Sequence, residues 1–299
     1  MTLRIGTCEV GGTFYTQGEA IANILNRNKT AGDIWVIEAT RASVDNAHRL
    51  DKGDIEFGFM ALNWIGRAKD GTPPFDHKIN LCMASPTNAG PIFFVTLADS
   101  TVKAIPDLIG KRIAVGPERS GMAQHVHAIF NVLGIAFTDF IPVYLGFAEG
   151  AEALVAGRID AQFQCPIPNA VMTALSQRAD VRVVPYAKGQ IEKILSEVFF
   201  YHGITMEKGV FRGVLEDIQQ VAVVNVLVTH QRVDSNSVYA VVKTLIENTE
   251  VLACMNPLFK GLGALYEPLR ARGSSALEMG GVPLHPGAIR AYKEAGLIS

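Results

Sequence analysis

"IGTCEVGGTFYTQGEA", residues 5–20, reads as a strand that ends in a glycine-bearing loop and passes into a helix. The strand is "LRIGT" (3–7), and Ala20, Ile21, Ile24 and Leu25 carry helical spacing after the loop. The same grammar continues along the chain. "IWVIEA" (34–39) is a strand, and "SVDNAHRLDKG" (43–53) is a helix with Ser43 as N-cap, Val44, Ala47 and Leu50 on one face, and Gly53 at its end. "IEFGFM" (55–60) is a strand again. Short apolar strands alternating with helices predict a largely parallel α/β sheet.

A second run of this kind follows. "PIFFVTLADS" (91–100) is a long apolar strand, and "IPDLIGKRIAVG" (105–116) gives a short helix, a turn and a strand. Ser120–Leu133 is helical, with Val126, Ile129, Phe130 and Leu133 on one side and Gly134 at its end. "EGAEALVAG" (149–157) is a helix and "RIDAQFQ" (158–164) a strand. "LDKGDIEFGF" (50–59) is echoed by "LVAGRIDAQF" (154–163), and "IGTCEVGGTF" (5–14) by "VGPERSGMAQ" (115–124). The echo predicts two α/β lobes of similar construction. After "VAVVNVLV" (221–228) the chain turns helical over 237–252 and 285–296. The long strands near 91–98 and 221–229 are then the crossings, which gives lobe I as 1–92 plus 226–299 and lobe II as 93–225.

The bulk numbers narrow the function classes. With 299 residues, 48% hydrophobic and 19% charged, the chain has an ordinary globular balance and room for two lobes. A formal net charge of -2 does not favour nucleic acid or an acidic membrane surface. No apolar run approaches the roughly 18 residues that span a bilayer. Met1-Thr2-Leu3-Arg4 leads almost directly into a strand, so the sequence reads as either cytoplasmic or a processed form with a new start Met. Cys8, Cys82, Cys165 and Cys254 are widely spaced, which argues against a zinc site or a disulfide framework and for mostly buried thiols. Residues 5–20 lack G-x-G-x-x-G, and the chain has no P-loop and no G-x-S-x-G elbow. His125 and His127, spaced i, i+2 on a helix, point in different directions and read as packing or surface residues. Glu9 and Glu118 read as solvated loop acids. No cofactor and no catalytic set is expected.

In open α/β sheets ligands sit outside the carboxyl ends of the strands, and a helix N-terminus there suits a carboxylate or phosphate. Three such ends are present. The first is Gly11, Gly12, Thr13, Phe14 and Tyr15, where the glycines permit a tight turn or a close backbone approach and Tyr15 either meets a carboxylate or packs half-buried. The second is Arg41 with Ser43 and Asn46; Arg41 either clamps a carboxylate or points to solvent, and Asn46 either points inward or faces solvent. The third is Arg119, Ser120, Gly121 and Met122, with Arg119 in the place that Arg41 takes in the first lobe and Ser120 as N-cap. Asn63 and Gln164 follow strands where ligand-facing side chains are expected, and Cys165, Pro166 and Pro168 shape a wall. Trp64, Phe94 and Phe147 fit an apolar wall or the core.

"IGTCEVGGTFYTQGEAIANIL", "EATRASVDNAHRLDKGDIEFGFM", "DLIGKRIAVGPERSGM", "LVAGRIDAQFQCPIPNAV" and "PLHPGAIRAYKEAG" fall in the order seen in the TAXI family, which this chain resembles over nearly its whole length. These are solute-binding subunits of tripartite ATP-independent periplasmic (TRAP) transporters. The resemblance implies an α/β periplasmic binding protein of the class II type, with two Rossmann-like lobes joined by a hinge. It implies a periplasmic, non-catalytic receptor that closes on a small carboxylate or glutamate-like amino acid and passes it to TRAP permease membrane subunits. An ABC-type receptor, a sensor's ligand module and an enzyme on the same lobes are the other readings. The chain departs from the family pattern at Cys8 and Glu9, at Thr40-Arg41-Ala42-Ser43 where Thr-Gly-Gly-Ser is common, and at Met60-Ala61-Leu62-Asn63.

Overall fold

A computed structural model describes residues 2–27, 33–118, 120–164, 167, 169–198 and 200–299. In chain order the elements are β1 (Thr2–Gly6), α1 (Thr13–Arg27), β2 (Ile34–Glu38), α2 (Ser43–Lys52), β3 (Phe57–Ala61), α3 (Leu62–Asp70) and β4 (Leu81–Leu97). Then come β5 (Arg112–Ala114), α4 (Gly121–Leu133), β6 (Ile141–Val143), α5 (Phe147–Val155), β7 (Ala161–Gln164), α6 (Ala170–Arg178), β8 (Val181–Val183), α7 (Gln190–Glu197), β9 (Tyr201–Met206) and β10 (Ile218–His230). Helices α8 (Ser235–Glu247), α9 (Thr249–Met255), α10 (Leu262–Arg272) and α11 (Pro286–Glu294) follow. The mixed α/β class matches the sequence expectation.

The chain divides into two compact units, Met1–Ala89 with Val224–Ser299 and Gly90–Val223. It leaves unit 1 within β4 and returns within β10. In unit 1 the strand order is β2-β1-β3-β10. β1 runs parallel to both β2 and β3, while β10 is antiparallel to β3 with Asn225 opposite Ala61 and Thr229 opposite Phe57. In unit 2 the order is β6-β5-β7-β4, again three parallel strands and an antiparallel fourth. The echoed segments therefore fall on equivalent elements: the α2–β3 junction matches α5–β7, and β1–α1 matches β5–α4.

Alternation along the strands builds the cores. In β7, Phe163 points into an aromatic cluster, at 5.1 Å from the Phe94 ring, which itself stacks on Phe130 at 5.2 Å. Gln162, one residue away, turns to the opposite face and donates to the Phe147 carbonyl. In unit 1 the buried stripe of α1 is Phe14, Gln17, Gly18, Ile21 and Leu25, laid over strands whose Leu3, Ile5, Phe57 and Phe59 are fully or nearly fully buried. α11 lies against α8 at Gly287, where an added Cβ would run into the Ser235 carbonyl and stand 2.9 Å from the Tyr239 amide.

Several expectations are corrected here. β4 begins ten residues before the predicted strand, at Leu81, because its first half pairs its backbone through a stretch interrupted by Pro86 and Gly90. The predicted helix over 237–252 is two helices, parted at Asn248, whose side chain donates back to the Thr244 carbonyl. β7 spans four residues, shorter than the predicted 158–164, and α5 starts at Phe147. Of the cysteines, Cys82 is buried, Cys8 is half-buried and Cys254 is exposed, so burial does not hold for all. Cys165 lies outside the described residues. His125 is buried with Nδ1 2.7 Å from the Tyr201 hydroxyl, and His127 stacks on Phe137.

Candidate functional site

The strand order of unit 1 sets where its site falls. The chain leaves β1 for β2 on one side and returns to β3 on the other, so the switch point at which such sheets place a ligand crevice falls at the carboxyl ends of β1 and β3. The β1–α1 loop is Thr7–Gly12. Thr7 anchors it by donating its amide and hydroxyl to the Glu38 carbonyl at 3.0 and 2.7 Å, and the Gly12 amide closes the turn on the Glu9 carbonyl at 2.9 Å. Gly11 takes φ 79, a value that glycine adopts without strain. An added Cβ at Gly12 would stand 2.6 Å from the Cys8 sulfur and 3.0 Å from the Glu9 carbonyl oxygen, so the turn has room only for glycine there.

Thr13 opens α1. Phe14 is buried and stacks on Phe59 at 5.3 Å, while Tyr15 is half-buried. Burial pushes the Cys8 thiol up, and hydrogen bonds from the Tyr15 and Phe14 amides pull it the other way. Two donors that the sequence offers to a ligand are thus aimed at a neutral sulfur, and Cys8 lies at the mouth of the helix.

The β2–α2 loop is organised by Thr40 and Asn46. The Thr40 hydroxyl donates to the Asn46 Oδ1 at 2.7 Å, and the Asn46 Nδ2 reaches the carbonyls of Gly6, Thr7 and Phe59 at 3.2, 2.8 and 2.9 Å. Asn46 is fully buried. Its donors and its acceptor all go to the scaffold, so it neither points into the crevice nor faces solvent. Ser43 is corrected as well. It is the first helical residue rather than the N-cap, and its Oγ accepts the Ala61 amide at 3.1 Å. The cap position belongs to Ala42, which makes no side-chain cap and sits at φ 66, ψ -150. Among the described residues it is the one non-glycine with positive φ. That region is essentially glycine's, and an alanine held there is strained by about 1–3 kcal/mol. We expect Ala42→Gly to raise the stability of unit 1 by about 1 kcal/mol after the entropic cost of glycine. Urea unfolding followed by tryptophan fluorescence checks this, since both tryptophans, Trp35 and Trp64, lie in unit 1; an unchanged midpoint would refute it. Arg41 is exposed, its amide bonded to Asp45 and its guanidinium unpaired among the described residues. Asn63 lies in the first turn of α3, and its Oδ1 is buried without a partner.

Four residues not singled out in the sequence complete this edge: Gln17, Thr87, Asn88 and Asn225. Asn88 Oδ1 accepts from Gln17 Nε2 at 3.3 Å and Asn225 Nδ2 at 3.4 Å, while the Thr87 hydroxyl, 3.4 Å from the same oxygen, donates to the Asn225 carbonyl at 3.0 Å. The sequence signal for them is weak, an amide inside each of three apolar stretches.

Unit 2 repeats the layout on its own edge. Gly116, at φ 96, brings the β5–α4 loop within contact of Ser120 and Met122, and a Cβ there would stand 2.9 Å from the Ser120 Oγ. Ser120 caps α4 by accepting the Ala123 amide at 3.2 Å; Gly121 starts the helix and Met122 is buried. Gln164, at the end of β7, is fully buried, and neither its nitrogen nor its oxygen has a partner. Arg119, Cys165, Pro166 and Pro168 lie outside the described residues. Trp64 and Phe94 are core residues and Phe147 is half-buried. Among the described residues no cluster of three His, Cys, Asp or Glu side chains is placed to hold a metal ion, and no helix is long and apolar enough to cross a membrane.

Each unit sets three parallel strands beside an antiparallel fourth, and the comparisons give the family and the fold to which this arrangement belongs. The NMT1-like family matches residues 5–296, and the chain belongs to that family. Among solved structures it shares its fold with the periplasmic sulfonate-binding protein SsuA from Methylobacillus flagellatus KT, at TM-score 0.55 and 14% identity over 99% of this chain and 95% of that one. A TctC solute-binding protein from Polaromonas gives TM-score 0.53 and 15% identity, with 88% of each chain covered. The BenM effector-binding domain bound to benzoate gives 0.51 and 14%, covering 84% of this chain and 92% of that one.

Proposed function

We propose that this chain is a periplasmic solute-binding receptor of the TAXI type, which captures a small carboxylate or glutamate-like amino acid and hands it to a TRAP permease, with no chemistry on the solute. The observation that carries the reading is the carboxyl edge of unit 1, where α1 with Tyr15 in its first turn follows β1 and the exposed, unpaired Arg41 follows the neighbouring β2. The positive end of the α1 dipole and a guanidinium both favour an anion. In unit 2 the α4 N-terminus offers the same helix dipole, and Arg119 precedes it in the sequence. Solute-binding relatives of the same fold support a receptor, and the TAXI resemblance supports the transporter class.

A second reading has a specific support. BenM uses this fold as an effector-binding domain, so a ligand module of a regulator is the alternative. The first reading is tested by thermal shift with a panel of small carboxylates. A solute at one hundred times its Kd should stabilise the protein by about 2.7 kcal/mol and be recovered unchanged. Arg41→Ala and Arg119→Ala should each weaken that binding about tenfold or more, as expected for a lost charge-assisted contact. Turnover of the solute, or no response to any acid, would sink the receptor reading; two arginine variants with parental affinity would sink the anion clamp.

A further inference from the structure

We infer that unit 1 reads a second, uncharged group of the solute through Gln17 and Asn88, a group that donates and accepts a hydrogen bond at once, such as a primary amide or a hydroxyl. This rests on the receptor reading above. Gln17 is fully buried, and Asn88 and Asn225 are each 3% exposed. Two amide donors, from Gln17 and Asn225, converge on the single Asn88 Oδ1, beside a Thr87 hydroxyl that gives its one proton to the Asn225 carbonyl at 3.0 Å. That leaves Gln17 Oε1 and Asn88 Nδ2 buried with no partner, one acceptor and one donor on two side chains that are bonded to each other. A buried amide without its hydrogen bonds carries its full desolvation penalty, and apolar side chains of the same volume would pack this place without it. The unmet pair is therefore complementary to something that arrives.

The position fits a solute. Asn225 stands opposite Ala61, the last residue of β3, so the cluster lies at the carboxyl edge of the parallel strands. Gln17 is one turn beyond Thr13, where α1 begins, on the same buried face as Phe14. One helical turn rises about 5.4 Å. A solute whose carboxylate meets the start of α1 would present at Gln17 and Asn88 a group a few bonds further along its chain. A second carboxylate is ill suited there: it accepts from Asn88 Nδ2 but gives Gln17 Oε1 no proton and faces it with like charge. The recognised class is thus an amide- or hydroxyl-bearing carboxylic acid rather than a simple dicarboxylate.

Calorimetric titration of the whole chain with L-glutamine against L-glutamate, and with L-malate against succinate, tests this. The parent should prefer the amide or hydroxyl member of at least one pair by tenfold or more. Gln17→Met, close in volume, should bring that preference within about twofold. Its unliganded melting temperature should stay level or rise, because an unmet amide oxygen is removed while Asn88 Oδ1 keeps Asn225 as a donor. A parent that binds these acids without preference overturns the inference and leaves the receptor reading standing. So does a Gln17→Met variant that keeps the preference or melts several degrees lower without ligand, or a crystal structure of the complex in which a water still bridges Gln17 Oε1 and Asn88 Nδ2. A parent that binds none of the four overturns the inference, and the receptor reading falls with it only where the wider acid panel also gives no response.

Discussion

Asn46→Ala is expected to lower the unfolding free energy of unit 1 by about 3 kcal/mol, at roughly 1 kcal/mol for each of the two amide protons shared among three carbonyls and for the bond accepted from Thr40. The side chain ties the end of β1 through Gly6 and Thr7, the end of β3 through Phe59, and the β2–α2 loop through Thr40. No neighbour replaces it, because the space behind is already filled: a Cβ on Gly6 or Gly58 would stand 2.6 and 3.0 Å from Asn46 atoms. Asn46→Asp is expected to be worse near neutral pH, since a carboxylate oxygen then faces three carbonyl oxygens, and to recover in acid as that carboxyl takes up a proton. Tryptophan fluorescence in urea reads both variants. A loss under 1 kcal/mol for Asn46→Ala would show that the loops hold together without it.

The second large effect is on pH. His125 is buried and bonded to the Tyr201 hydroxyl, and burial pushes its imidazole down to about 4. An unfolded histidine titrates near 6.5. Between those values the unfolded chain holds the proton and the folded chain does not, so stability rises with pH there. The contribution is full above pH 6.5 and drains as pH falls through 4, to a total of at most about 3 kcal/mol. His125→Gln keeps a polar partner for Tyr201 and removes the titration. Calorimetry at pH 7 and pH 4.5 should show the parent losing more stability than the variant. Equal losses would mean that other groups carry the acid sensitivity.

The fold was legible where local chemistry and tertiary structure agree. β1, α1 and α4 follow from alternation, helical spacing and, for α4, the Ser120 cap, and none of these is disturbed by packing. The first half of β4 was not legible, because "LCMASPTNAG" (81–90) interrupts its apolar residues with proline, asparagine and glycine. Ser43 looks like an N-cap by residue type; Ala42, in a backbone region that alanine avoids, takes the cap and turns Ser43 toward Ala61. Asn46 looks like a ligand residue at a helix start, and only the meeting of β1, β3 and the loop before α2 reveals a scaffold bond. The amides of Gln17, Asn88 and Asn225 are dispersed along the chain and become one group through strand order alone.

The division of the chain carries a consequence for its making. Unit 2 is one unbroken run, Gly90–Val223, whereas unit 1 is written in two instalments. As the chain emerges from its amino end, β3 gains β1 early but waits for β10 until all of unit 2 has been synthesised. Through that interval the apolar edge Phe57–Ala61 has no antiparallel neighbour. Closing that gap costs the entropy of a long loop, and an unpaired strand edge is where a nascent chain sticks to others. Once folded, unit 2 shortens the loop that unit 1 must close.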